Sequence, residues 1–178
     1  MELTHRLANA SDIPAIAAVM ERAITELQRP FLSPAQIAAS RLSMGLDTQL
    51  IVDGTYFAIM DGGELVGCGG WSRRATLYGG NHSAELRDDR VLDPAHEPAR
   101  IRAMYTDPAH ARRGIGRLIL ALCEAAARAA GFQRLELMAT AAGEPLYVVC
   151  GYHVIERVER MSDKGPAVPG AVMGKSLV

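Results

Sequence analysis

Cysteine is scarce in this chain, and the few cysteines present do not form a pattern. Cys68, Cys123 and Cys150 are the only three in 178 residues. They are odd in number and show no CxxC spacing, which argues against a disulfide framework and fits reduced thiols in a cytoplasmic protein. Cys150 is expected to be a small packed residue rather than an acyl-carrying nucleophile. No apolar run reaches the roughly 18 residues that a membrane span requires. The N-terminal Met-Glu-Leu-Thr-His-Arg has no basic start followed by an apolar core, so no signal peptide is expected. Neither sign of charge dominates. The net charge is −1, so neither nucleic acid nor a membrane surface is an expected partner. His5, His110 and His153 are scattered without metal-ligand spacing, and no metal is expected.

Two common phosphate signatures are also missing. A dinucleotide fingerprint at Gly114-Ile115-Gly116 needs a third glycine where Ile119 stands. Gly170-Ala171-Val172-Met173-Gly174-Lys175-Ser176 is one residue short of a Walker loop. Only Leu177 and Val178 follow it, too few for the helix such a loop needs, and we read it as a terminal strand.

What remains is ordinary for one soluble domain over residues 1–178: 49% apolar and 22% charged. Glu2–Leu7 alternates as a strand. Ser11 or Asp12 is placed to cap a helix with Pro14 in its first turn. Ser33-Pro34-Ala35-Gln36 is a capping box opening a second helix. Gln49–Met60 is β-rich, and Asp61-Gly62-Gly63 turns it into a returning strand, Glu64–Trp71. Residues 72–98 read as a long loop, a feature more often functional than filler. A strand at Ile101–Thr106 leads to an amphipathic helix closed by Gly131, with Glu124 and Arg128 spaced to pair on its outer face. Then come a strand at Arg134–Thr140, a short helix at Pro145–Cys150, and strands at Tyr152–Met161 and Ala171–Leu177. The order is β-α-α-β-β-β-α-β-α-β-β, an α/β fold with a mixed, mostly antiparallel sheet flanked by helices.

The most informative stretch is Ala111-Arg112-Arg113-Gly114-Ile115-Gly116-Arg117, between a strand with its Asp107-Pro108 turn and the long helix. A glycine-rich loop at a helix N-terminus aims several backbone N–H groups at one spot, the helix dipole adds partial positive charge there, and the arginines add formal charge. Such a spot suits a phosphate or pyrophosphate.

With its flanking elements this loop resembles the Gcn5-related N-acetyltransferase superfamily, whose motif is Gln/Arg-x-x-Gly-x-Gly/Ala. Ala111 departs from the first position of that motif. Leu146-Tyr147-Val148-Val149-Cys150-Gly151-Tyr152 and Met173–Leu177 resemble later parts of the same fold, while residues 72–98 have no counterpart. The resemblance implies an enzyme that moves an acetyl group from acetyl-coenzyme A to a primary amine, favouring a small-molecule acceptor over a peptide or protein. It is compatible with a homodimer. It implies that Met104, Tyr105 and Thr106 offer backbone groups to the pantetheine arm, on a strand that parts from its neighbour. Ala111 through Arg117 would bind the pyrophosphate, including Arg112, Arg113, Gly114, Ile115, Gly116 and Arg117. Thr140 would lie near the pantetheine, the backbone at Tyr105 would serve the oxyanion, and Tyr147 would be the general acid. Read from the residues alone, Tyr147 is equally a core tyrosine of a short helix. No carboxylate can be carried over as general base, because Arg100 and Arg102 hold the exposed-alternation positions before the loop. Glu85, Glu97, Glu144, His82, His96 or ordered water remain for that role. The alternative reading is a coenzyme A-binding sensor or interaction module without turnover.

Overall fold

The alternating strands pair into one twisted sheet that carries apolar side chains on both faces, so helices must cover both. The computed structural model describes residues 2–178. Its strands are β1 (Leu3–Leu7), β2 (Tyr56–Asp61), β3 (Glu64–Ser72), β4 (Ala99–Thr106), β5 (Arg134–Thr140), β6 (His153–Val158) and β7 (Gly170–Ser176). They lie in the order β1-β2-β3-β4-β5-β7-β6. All neighbours are antiparallel except β4 and β5. The helices are α1 (Ile13–Leu27), α2 (Pro34–Ser40), α3 (Thr48–Val52), α4 (Ile115–Ala129) and α5 (Glu144–Val149).

One face is buried under α4, whose Ile115, Ile119, Leu120, Cys123 and Ala127 meet Val66, Ile101, Leu135 and Met173. The other is buried under α1, whose Ile16, Val19, Met20 and Ile24 meet Tyr56, Ala58 and Cys68. Glycines on β3 let α4 approach closely. A methyl group on Gly67 would stand 2.4 Å from Ile115 Cγ2, and one on Gly69 2.6 Å from Ile119 Cγ2.

Several local expectations hold. Ser33 and Gln36 form the capping box of α2. Gly62 and Gly63 close the β2–β3 hairpin with φ of 57° and 90°, as a two-residue primed turn requires. Gly131 and Gly151 end helices at positive φ, and the terminal Gly-Lys-Ser stretch is β7.

Others are corrected. Residues 48–52 form α3 rather than the start of a strand, because the Asp47 side chain accepts the Gln49 N–H and caps a helical turn. The chain enters α1 through a short 3₁₀ turn, Ala10–Asp12, capped by Asn9 with Asp12 completing the box, not through Ser11 or Asp12 as cap. Glu124 and Arg128 do not pair. Glu124 instead accepts from Lys175 and Tyr152, and the exposed Arg128 donates to the Leu177 carbonyl, so each is taken by a partner near the C-terminal strand. Arg102 is 3% exposed rather than solvated, because β4 is central in a sheet covered on both faces. Its guanidinium bonds Asp47 Oδ2 at 2.9 Å and the Gly79 carbonyl at 2.8 Å. Arg100 pairs with Glu136 at 2.9 Å.

Residues 72–98 are tied down. Segments 73–76 and 88–92 pair through Ala75 N–H to Arg90 O and Leu92 N–H to Arg73 O, at 2.9 and 2.7 Å. Arg74 clamps Asp53, and Arg87 joins Arg102 on Asp47. Trp71 packs edge-on against Phe132, and Arg73 lies over its ring.

Candidate active site

The sheet opens at its centre. β4 and β5 pair only at Ala99–Leu135 and Arg100–Glu136. Beyond that point they diverge, and the β4 edge facing β5 is left without a strand partner. The cause lies on the other side of β4, where its register with β3 slips between Cys68 and Gly70. Ala103 there adopts φ of 49°, a strained conformation for a residue with a Cβ. The fully buried Tyr56 holds this kink by donating its hydroxyl to the Ala103 carbonyl at 2.6 Å. Gly69 leaves room for it, since a methyl there would meet Met104 Cγ at 2.8 Å.

The split opens into a cavity of about 740 Å³ lined by residues of both cores. Met104, Tyr105 and Thr106 of β4 line it, as do Thr140 at the end of β5 and Tyr147 of α5. At one end lies the loop before α4. Arg112 and Gly114 both adopt left-handed backbone, φ 66° and 84°, and Gly114 caps α4 without any side-chain bond to the first turn. The N–H groups of that turn therefore point outward as an anion nest. Ala111, Arg112, Gly114, Ile115, Gly116 and Arg117 all face the cavity. These residues fit a pyrophosphate: the nest supplies donors, two arginines supply charge, and no carboxylate lines the cavity to oppose it.

Arg113 is the exception among the anticipated loop residues. Its side chain turns away and bonds Asp61 Oδ2 at 2.6 Å. Asp61 ends β2 beside the loop and is 6% exposed, so it draws the guanidinium out of the cavity. Arg113 thus anchors the loop to the β2–β3 hairpin.

Tyr147 is 9% exposed and packs edge-on to Tyr152. Its hydroxyl approaches only Met104 Sδ, at 3.9 Å, so the phenolic proton is not committed to an oxygen or nitrogen. Burial pushes this phenol well above the usual tyrosine value, and it is protonated throughout the neutral range. Tyr105 is similarly raised by burial. Its hydroxyl accepts the Gly45 N–H at 2.9 Å and keeps its own proton free. Thr140 Oγ1 accepts the Gly143 N–H at 3.2 Å, shaping the turn into α5.

None of the five anticipated bases reaches the cavity. Glu144 is bound to Arg157, Glu97 to Arg90 and the Asp93 N–H, His96 to Asp93, and His82 to the Arg41 carbonyl, while Glu85 is exposed on the 72–98 segment. What the sequence left unassigned is the second half of the cavity wall. It comes from the end of α1, the 43–45 turn, residues 77–79 and Met161. Tyr56, Arg102 and Asp47 are polar residues of this region, but Tyr56 bonds a carbonyl 47 residues away and Arg102 meets Asp47 across 55 residues of sequence.

A splayed β4–β5 pair with a phosphate nest at its mouth defines a cleft suited to a ligand with a phosphate head and an extended arm. The sequence model of the acetyltransferase (GNAT) family matches residues 20–152. The chain belongs to that family. No curated protein matches the sequence significantly. Among solved structures it is similar to the PaiA N-acetyltransferase of Thermoplasma acidophilum in complex with coenzyme A. That pair shares 12% identity over 99% of both chains, with a TM-score of 0.66. It is similar also to yncA of Salmonella typhimurium, solved with its cofactor acetyl-CoA, at 18% identity over 100% and 95% of the two chains and a TM-score of 0.67. The ribosomal-protein-S18-alanine N-acetyltransferase of Escherichia coli aligns at 16% identity over 99% and 94%, with a TM-score of 0.60. Likeness at these identities is likeness of fold.

Proposed function

We propose that the protein transfers the acetyl group of acetyl-coenzyme A directly to a primary amine, on a small molecule in preference to a protein. The observation that carries this reading is one continuous cavity in which a phosphate nest, an unpaired strand edge and a proton-bearing phenol follow one another. In this reading the first turn of α4, with Arg112 and Arg117, holds the pyrophosphate, and the β4 edge at Met104–Thr106 takes the pantetheine amides. The amine nitrogen attacks the thioester carbonyl, the carbon–sulfur bond breaks, and the amide forms. A backbone N–H on the open edge of β4, at Met104 or Thr106, stabilises the developing oxyanion, since Tyr105 pairs with Cys68 of β3. Tyr147 gives its proton to the departing thiolate and recovers one from solvent. The amine's own proton leaves through water, since no side-chain base lines the cavity.

Thiol release from acetyl-coenzyme A in the presence of amines tests the reading. Tyr147→Phe should lower kcat by about 10²-fold or more, with cofactor affinity unchanged within about twofold. Equal turnover in the variant would remove Tyr147 from the chemistry. The missing base favours a second reading, a coenzyme A-binding module without turnover. That reading predicts cofactor binding with no thiol release from any amine.

A further inference from the structure

The acceptor half of the cavity has an unusual chemical inventory. Leu27, Phe31, Met44, Leu77, Met138 and Met161 form most of its wall. Among the described residues that line the whole cavity there is no aspartate, glutamate, histidine or lysine. Its charged residues are Arg112 and Arg117 at the phosphate end and Arg102 at the centre. Asp47, the carboxylate beneath Arg102, has a side chain only 1% exposed. It is used up by Arg87, Arg102 and the Gln49 N–H. Gln28, 3% exposed, lines the same region. Its amide nitrogen donates to Ile24 O and Ser40 Oγ at 3.2 and 2.9 Å, and its Oε1 has no partner. The lining thus offers no counter-charge for a cation.

An alkylammonium entering this space loses its hydration, meets no anion, and faces arginine. Only the neutral base can enter and attack, and for an amine as basic as lysine that is about one molecule in 10³ at pH 7. The same wall has no group to remove the surplus proton. An amine whose lone pair is drawn into an aromatic ring is neutral at pH 7, needs no counter-ion, and presents a flat apolar body to aromatic and thioether side chains. We propose that the acceptor is a weakly basic aromatic amine, recognised by the apolar wall formed by the end of α1, the 43–45 turn, residues 77–79, Met138 and Met161. This rests on the acetyltransferase reading above. It lessens the need for a base: the substrate arrives without the extra ammonium proton, and only the N–H proton released as the amide forms passes to water.

The test compares aniline with cyclohexylamine, two primary amines of nearly equal size, one neutral and one cationic at pH 7. Calorimetric binding of acetyl-coenzyme A is measured on the same preparation. We expect kcat/KM at least tenfold higher for aniline, and little or no reaction with the polycation spermidine. A preference for cyclohexylamine or spermidine would overturn the aromatic-amine assignment and leave the acetyltransferase reading standing. Cofactor binding without thiol release from any of the three would overturn the assignment in favour of the non-catalytic module. Absence of cofactor binding would defeat the acetyltransferase reading itself. Leu77→Glu gives a second test, because it places a carboxylate in the half-buried apolar wall. In a variant that still binds acetyl-coenzyme A, the aniline-to-cyclohexylamine ratio should fall at least tenfold. An unchanged ratio would show that the wall does not set the preference.

Discussion

Tyr147 and Gly114 carry the sharpest residue-scale claims. The Tyr147 phenol has a thioether sulfur at 3.9 Å as its only polar neighbour. Burial raises its proton affinity, so ionisation of Tyr147 should put no alkaline limb on kcat below about pH 9. A fall in kcat between pH 7 and 9 that disappears in Tyr147→Phe would contradict this. Gly114 sits at φ 84° with open space where a side chain would project. Gly114→Glu should fold with a loss of about 1–3 kcal/mol from its left-handed backbone, yet abolish acetyl-coenzyme A binding, because its carboxylate faces the phosphate nest. Gly116 is a poorer probe, since any Cβ there meets Leu146 at 2.5 Å and misfolding would mimic loss of the site. The need for glycine was legible in the sequence where backbone geometry decides it, as at Gly114 with its positive φ. The role of Arg113 was not legible. A charged loop residue reads as a phosphate ligand until the fold sets Asp61 beside it.

At the scale of elements, the strand–loop–helix unit around residues 99–130 was readable because its signals are local: alternation, an Asp-Pro turn, glycines, then helical periodicity. The kink in β4 was not, because it depends on Tyr56, a residue 47 positions from the carbonyl it holds. Tyr56→Phe leaves that buried carbonyl unsatisfied. It should cost about 1–3 kcal/mol of stability, read as a shift in the denaturant midpoint, and lower kcat/KM for the acetyl donor as the β4–β5 split relaxes. A variant with unchanged kinetics would show that the kink holds without Tyr56. The short α3 was missed because the start of the β-rich run Gln49–Met60 is overruled by one capping carboxylate, Asp47. The 72–98 segment has little apolar periodicity of its own. It is ordered by Asp53 and Asp47 taking Arg74 and Arg87 across the surface, and this order is what brings Leu77 and Tyr78 to the cavity.

For the whole molecule, the fold rests on two apolar cores with a set of aspartates clamped by arginines around them. Bonds from Arg6, Arg74 and Arg113 hold Asp12, Asp53 and Asp61 below the usual carboxylate range. Their folded values are depressed, so their stabilisation is complete above the unfolded value near 4 and is lost as pH falls through the folded values. Thermal midpoints should be level from about pH 8 to 5 and drop below about pH 4. Asp53→Asn should cost more stability at pH 7 than at pH 3. Equal losses at both would show that the clamp is not electrostatic. The central claim concerns what the split sheet and its nest together hold. Calorimetric titration with acetyl-coenzyme A and with ATP, on the native protein and on Gly114→Glu, tests it most directly. The account predicts binding of acetyl-coenzyme A by the native protein alone, with no comparable affinity for ATP. A preference for ATP, or undiminished acetyl-coenzyme A binding by Gly114→Glu, would contradict it.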